Sequence, residues 1–399
     1  MDFRAQFPQL SETVYGKPLV YLDNAATSLR PLCVARKWEE SALHCNSNLH
    51  RAVHFFAGRA TKEYENARKF VAGFLGADPG EIVFTSGATM GLNLVASSYG
   101  ELAVGEGDNI IIGEAEHHSD IVPFQMLCKR KGASVRVLPV DESGRLRCDV
   151  LESLIDSRTR LVCVAHISNV LGLVNPIRRI ADVCRSRAVP LLVDGAQGIV
   201  HEKVDVRALG CDFYAFSGHK VYAAPGTGAL YIRRELLDRM PPYMGGGEMI
   251  GSVSWEETTF AEGPQKFEAG TQNISGVPTL VPALSLSEEM GLGELPAITE
   301  FLLDELPRIK GLRLYGLPDA ENPKAPLFSL SINGVHHEDA ALVLDKMGFA
   351  VRSGQMCAEP LMRRFGVSGM LRASFAPYNT LEEARAFVQA LRKACLMLA

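Results

Sequence analysis

Lys220 closes the run Ser217-Gly-His-Lys220, directly behind the apolar stretch 213–216. Most lysines are solvated surface charges, and one set just past a buried strand calls for another role. Three neighbours in the sequence suggest that it serves a cofactor. The apolar stretch 190–193 ends in Asp194, followed by Gly-Ala-Gln197. A carboxylate at the mouth of a parallel strand sits where α/β sheets bind ligands. The stretch 82–84 runs into Thr85-Ser-Gly-Ala-Thr89 and then into helical spacing. Backbone N–H groups and a hydroxyl at a helix N-terminus make a cradle for phosphate. Glu116-His117-His118 follows the stretch 109–112, and an imidazole there can stack on a planar ring. Each signal is weak alone, since a lone aspartate is more often a cap and a lone histidine a satisfied structural residue. In chain order the set becomes specific: cradle, histidine, asparagine, aspartate, lysine. The asparagine is Asn169, in His166-Ile-Ser-Asn-Val-Leu-Gly172 behind 161–165. Pyridoxal phosphate, a phosphorylated pyridine, answers to all of these groups. An acid beside its ring nitrogen keeps that nitrogen protonated, so the ring serves as an electron sink.

A second candidate is Cys357, in Val351-Arg-Ser-Gly-Gln-Met-Cys-Ala-Glu-Pro360. It follows another predicted strand on a short glycine-containing loop. A mobile loop suits a nucleophile that must attack in one place and deliver its cargo in another. Arg352 nearby would favour the thiolate, the reactive form. The plain alternative is a buried, inert thiol, which is how most of the other cysteines read.

The elements that position these groups follow from periodicity. Apolar stretches at 82–84, 109–112, 135–140, 161–165, 190–193, 213–216 and 228–232 are rich in Val and Ile and lack clean alternation. Strands of a parallel sheet covered on both faces read this way. Helical spacing lies between them, with Ala67, Val71, Phe74 and Leu75 on one face and Ile180, Val183 and Cys184 on another. The expectation is an α/β, doubly wound core with a mainly parallel seven-stranded sheet. Beyond Pro241-Pro242 and the glycines at 245–247 the pattern changes, and no strand is expected before about residue 275. Helices are expected over 278–291, 298–309, 338–346 and 381–398, with strands over 328–332 and 349–352. This predicts a smaller α+β C-terminal domain, giving an N-terminal segment 1–20 packed on it, a large cofactor-binding domain 21–275 and the small domain 276–399 with the Cys357 loop.

Composition narrows the rest. With 399 residues, 47% hydrophobic and 22% charged, the chain reads as an ordinary globular protein with a large core. A net charge of −5 argues against nucleic-acid binding. No apolar run approaches the roughly 18 residues of a membrane span, so no membrane association is expected. The start, MDFRAQFPQL, lacks the pattern of a secretory signal. The nine cysteines are scattered without a C-x-x-C pair, which argues against disulfides and a metal site and for a reducing, cytoplasmic setting.

From Tyr21-Leu-Asp-Asn-Ala-Ala26 to the final helix, the chain resembles the fold-type I, class V aminotransferase-like enzymes. More narrowly it resembles the SufS-type (group II) cysteine desulfurases. The resemblance includes Val193-Asp-Gly-Ala-Gln197, Phe216-Ser-Gly-His-Lys220, Gly245-Gly-Gly-Glu-Met-Ile250 and Phe267-Glu-Ala-Gly-Thr271. It implies that Lys220 binds pyridoxal phosphate covalently and shuttles protons, that Asp194 meets the ring nitrogen and that His117 stacks on the ring. Gln197 and Asn169 would contact the ring oxygen or the substrate carboxylate. Ala88, Thr89, Ser217 and His219 would hold the phosphate. Thr271 would reach the phosphate of a second subunit, implying a homodimer. Arg372 would bind the substrate carboxylate, with Asn24 and Ala26 also at the substrate. Cys357 would take sulfur from L-cysteine as a persulfide, releasing L-alanine. The sulfur would pass to a SufE-like, SufU-like or dedicated acceptor, for iron–sulfur clusters or a thiolated cofactor.

Two positions depart from the family pattern. Gln355 and Met356 stand where two histidines commonly precede the reactive cysteine, and the cradle reads Ala88-Thr89-Met90 where Thr-Thr-Glu is common. Neither touches Lys220, Asp194 or Cys357, so the core reaction is expected to survive, with a dedicated acceptor. Two other readings compete: a selenocysteine or other C–S lyase, and a catalytically weak scaffold for a sulfur-transfer partner. The intact Lys220, Asp194 and His117 set argues against the scaffold.

Overall fold

The apolar stretches become one seven-stranded sheet. The computed structural model describes residues 3–50 and 53–398; residues 1 and 2 of the N-terminal segment lie outside them. Across the sheet the order is Ile82–Thr85, Gly228–Ile232, Phe213–Ser217, Leu191–Asp194, Thr159–Ala165, Asn109–Gly113, Ser134–Leu138. All neighbours are parallel except the two pairings of Gly228–Ile232. The α/β expectation holds, and so does its physical reason. Side chains alternate across a strand, so Val162 and Val164 enter the core on one face while Leu161 and Cys163 enter the other. Both faces are covered, which removes the polar half of each alternation.

Helices cover the sheet with the same economy. Phe55–Leu75 buries Ala60, Tyr64, Ala67, Val71 and Leu75 at helical spacing and stops at Gly76, whose φ of 67° suits glycine. The four-stranded second sheet runs Leu312–Tyr315, Leu327–Ile332, Met370–Ser374, Arg352–Gly354, antiparallel throughout. Its separate core includes Ile298, Leu302, Leu344, Phe387 and Leu391. The helix Leu280–Met290 buries Leu280 and Leu284 in the large core instead. The N-terminal segment bridges both parts: Phe7 packs on Tyr222 and Tyr378, and Arg4 pairs with Glu383 at 2.6 Å.

Three expectations change. A hairpin, Ile250–Val253 with Thr258–Phe260, occupies the region expected to lack strands. Its side chains are mostly exposed, so no burial pattern marks it. The strand expected over 349–352 splits: Phe349–Ala350 pairs in parallel with Val20–Tyr21, while Arg352–Gly354 joins the small sheet. The strands Leu312–Tyr315 and Met370–Ser374 had no expectation; both are short, and their pairing rests on contacts distant in sequence.

A buried ion pair locks the motif ending in Thr271 to the large sheet. Arg68 donates to both oxygens of Glu268, at 2.7 and 2.8 Å, and Phe84 N–H donates to the same carboxylate at 2.7 Å. Removing one partner strands a buried charge. Arg68→Met is therefore expected to lower the free energy of unfolding by about 3–5 kcal/mol, measured by urea denaturation with circular dichroism. Adding Glu268→Leu should restore part of the loss.

Candidate active site

The strand ends converge on one edge of the large sheet. Because Gly228–Ile232 runs against its neighbours, Gly228 faces both Thr85 and Ser217. A Cβ on Gly228 would lie 2.7 Å from Gly87 Cα, so the missing side chain is what lets the cradle turn approach the Lys220 segment. Ser217 Oγ accepts from Ala88 N–H at 2.8 Å, and Thr89 Oγ1 pairs with Ser119 Oγ at 2.8 Å. The helix Ala88–Ser97 thus begins at the cavity, with its positive end turned toward it.

A cavity of about 290 Å³ opens there. Lys220, Asp194, His117 and Cys357 share its wall, as do Ala88, Thr89, Ser217 and His219. Gln197, Asn169, Arg372 and Ala26 complete the expected set. Two expected residues stay out of the wall. Asn24 is buried behind it, donating to Ser374 O at 2.8 Å and accepting from the Tyr378 hydroxyl. Thr271 is exposed on the turn after Glu268, outside this chain's cavity. A larger cleft of about 410 Å³ lies near Cys211 and Arg233. It sits at the opposite ends of the strands, where doubly wound sheets do not bind ligands, so the smaller cavity is the site.

The Cys357 loop is tied to the cavity by its backbone. His118 N–H donates to Cys357 O at 2.7 Å, Asn169 Nδ2 to Met356 O at 2.8 Å, and Glu359 N–H to His118 Nε2 at 3.1 Å. Met356 and Cys357 have φ values of 51° and 55°, a left-handed pair that costs energy without glycine and turns the thiol outward. Met356 itself is buried in the large core. Cys357 is the exposed one of the nine cysteines; Cys33 is half-buried and the other seven are buried. Arg352 shares the cavity wall with Cys357, and its guanidinium also grips Asp23, with bonds of 2.9 to 3.2 Å to both oxygens. Arg372 also reaches Asp23, at 3.3 Å. Asp23 was missed from the sequence, although it lies in the quoted stretch Tyr21-Leu-Asp-Asn-Ala-Ala26. Ser119 was missed too; its position in the first turn of the helix His118–Lys131 was the available signal. At the cradle, Met90 Sδ accepts from Ser86 N–H at 3.2 Å.

The sequence pattern described as Aminotransferase class-V matches residues 20–387. The chain belongs to this family. It is 43% identical to a probable cysteine desulfurase of Vibrio cholerae, over 99% of this chain and 98% of that one. Identity to a cysteine desulfurase of Cronobacter sakazakii is 45%, over 98% and 97%. Among solved structures, the cysteine desulfurase CsdA of Escherichia coli, in an S-sulfonic acid form, matches with a TM-score of 0.89 at 38% identity, over 100% of this chain and 98% of that one. An apo cysteine desulfurase from Thermococcus onnurineus NA1 matches with a TM-score of 0.93 at 36% identity, over the same shares.

The cavity fits the pyridoxal phosphate on which the class V family depends. Two of its polar atoms, Gln197 Oε1 and Arg372 Nε, are buried without a partner in the chain, and such atoms ordinarily meet a ligand or water. Gln197 is oriented by its amide, which donates to Ala25 O at 2.8 Å. Burial pushes the Arg372 guanidinium down to about 10, with Asp23 opposing; it stays charged at neutral pH, while its Nη1 donates to Asn169 O at 2.7 Å. Burial also lowers the Lys220 amine, with Asp194 pulling the other way. The His117 imidazole is held down to about 4 by burial and then by Lys220. Its Nδ1 accepts from Ser119 N–H at 3.0 Å, so the neutral ring carries its proton on Nε2.

The same suppression affects His166, His201 and His219, all held to about 4 with burial as the first cause. An unfolded chain protonates its histidines near their ordinary value of about 6.5. The unfolded state therefore binds more protons between that pH and about 4, and stability from these groups is full above the window and falls with acidification through it. The apoprotein should melt at lower temperature at pH 5 than at pH 7, and His166→Gln should flatten that dependence in calorimetry.

Proposed function

We propose that this protein is a pyridoxal-phosphate-dependent cysteine desulfurase, removing sulfur from L-cysteine, releasing L-alanine and carrying the sulfur as a persulfide on Cys357. The observation that carries this reading is an exposed cysteine in the same cavity wall as Lys220 and Asp194. Relatives named cysteine desulfurases over their full length support it.

Pyridoxal phosphate would supply an electron sink for the charge left at the substrate Cα. Lys220 Nζ, made easier to deprotonate by burial, takes the proton from Cα and later returns one to the product. Asp194 would hold the ring nitrogen, and neutral His117 would hold the ring by its face. The first turn of the helix from Ala88, with the side chains of Thr89, Ser217 and His219, would hold the phosphate, the Ala88 N–H itself fixing Ser217 Oγ. Arg372 binds the substrate carboxylate, since its guanidinium has an unpartnered Nε and a fork suited to that group. Gln197 and Asn169 contact the ring oxygen or that carboxylate; Ala26 contributes wall, and Asn24 steadies it through Tyr378. Cys357 Sγ, as the thiolate, bonds to the substrate sulfur while the Cβ–S bond breaks. The carbon side keeps the electron pair, gains a proton and leaves as alanine.

A protein then takes the persulfide sulfur, and the outward turn at Cys357 suits that transfer. Thr271, outside its own chain's cavity, fits a site shared across a homodimer. The separate core under the four-stranded sheet supports the division into segments 1–20, 21–275 and 276–399, with Leu280–Met290 as the connecting helix. No helix among the described residues is long and apolar enough to cross a membrane; nine free cysteines support a reducing, cytoplasmic setting.

With pyridoxal phosphate, L-cysteine and a thiol reductant, the protein should release alanine and sulfide in equal amounts. Cys357→Ala should lower both by roughly 10²-fold or more while the bound cofactor's absorbance persists. Lys220→Ala should abolish the lysine-bound absorbance and lower turnover by a similar factor. Undiminished sulfide from Cys357→Ala would replace this reading with a C–S lyase that needs no sulfur carrier.

A further inference from the structure

Behind Asp194 lies a set of carboxyl groups without a cation of their own. Asp120, 0% exposed, sits in the first turn of the helix His118–Lys131, and Glu116, 1% exposed, in the turn before it. Glu116 Oε2 accepts from Ala165 N–H at 2.8 Å, and Asp120 Oδ1 accepts from Cys163 Sγ at 3.6 Å. Their other oxygens, Glu116 Oε1 and Asp120 Oδ2, have no conventional donor. Glu116 Oε1 occupies the space that Gly113 leaves open, since a Cβ at Gly113 would lie 2.1 Å from it. Among the described residues no arginine, lysine or histidine forms an ion pair with either carboxyl. The titratable groups that act on them are Asp194, the Cys163 thiol and Lys220. Lys220 is the one cation among these, and it serves the cofactor.

Carboxyl groups crowded in a dry interior cannot all ionise, because each charge opposes the next and none is solvated. Burial and then Asp194 push Glu116 up to about 8; burial, Asp194 and Glu116 push Asp120 well above the ordinary carboxyl range. Asp194 is the member that takes a backbone donor and reaches the cavity: Ala196 N–H donates to its Oδ1 at 2.8 Å, and it lines the cavity wall. Asp120 is within hydrogen-bonding reach of it.

We propose that Asp120 is a positioning residue that retains its proton and donates it from Oδ2 to Asp194, fixing the carboxylate that meets the cofactor's ring nitrogen. The inference rests on the reading of this cavity as a pyridoxal phosphate site. A neutral donor gives Asp194 a defined orientation without adding a second negative charge behind the ring. An apolar side chain could not orient Asp194, and an ionised one would repel it.

Two variants separate these roles. Asp120→Asn keeps a neutral donor at the same position, and Asp120→Leu removes the donor at similar volume. Each is loaded with pyridoxal phosphate and compared with the wild-type holoenzyme by absorbance against pH, by cofactor dissociation constant and by thermal melting. If the wild type binds no cofactor, the functional reading fails before this proposal is reached. With a cofactor-binding wild type, Asp120→Asn should keep the absorbance titration and bind cofactor within about threefold of it, while Asp120→Leu should shift the titration and weaken cofactor binding about tenfold or more, the scale of a lost hydrogen bond to a charged group. If both variants shift alike, Asp120 acts as a charge and the proposal falls; it falls equally if Asp120→Leu behaves as wild type. Should Asp120→Leu not fold, infrared comparison of wild type with Asp120→Asn decides. Loss of protonated-carboxyl absorption supports the proposal, and its persistence at full strength overturns it.

Discussion

Gly228 stands between Thr85 and Ser217 with Gly87 pressed against it, and a methyl group there would already collide. The close approach brings the start of the helix Ala88–Ser97 against the strand that ends in Ser217, so that a helix N-terminus and a lysine 131 positions apart, Thr89 and Lys220, share one cavity. Shifting either strand by one residue would reverse its side chains and replace Ser217 Oγ as the acceptor for Ala88 N–H. The reversed direction of Gly228–Ile232 serves the same end, since it seats Gly228 opposite both strand ends at once.

Burial then sets the chemistry. One dry cavity keeps His117 neutral, makes the Lys220 amine easier to deprotonate and leaves the Arg372 guanidinium charged. Desolvation disfavours charge in every group alike, and local partners decide which group resists it. Asp23 supports Arg372 in this way while holding Arg352 beside it. The carboxyl set behind Asp194 shows the opposite case, with no cation supplied and the ordinary ionisation of Glu116 suppressed.

The cysteine loop meets a different demand. Its thiol lines the cavity and is exposed to solvent as well. Two successive left-handed residues turn Cys357 outward, and bonds from Asn169 and His118 to their carbonyls hold the turn against that strain. Buried Met356 anchors the loop from below. Methionine at this position, where the family resemblance puts a histidine, supplies a packing contact in place of a titratable neighbour.

Much of this was legible in the chain itself. Buried strands of a parallel sheet announce themselves as apolar runs, so all seven were visible, and the polar residues that end them named the site in order. Composition and the cysteine pattern set the class of protein. Other features depended on partners remote in sequence. The exposed hairpin Ile250–Val253 with Thr258–Phe260 carries no burial signal, and the short strand Met370–Ser374 becomes one only beside Leu327–Ile332. Asp23 and Asp120 looked like ordinary acids until folding placed one between two arginines and the other behind Asp194. Periodicity reports what a segment buries, and so the sequence alone determined the elements and the kinds of chemistry they end in. Which charges meet, which go unpaired and which thiol reaches solvent were decided only by the tertiary structure, because those depend on distances between segments that the chain order does not contain.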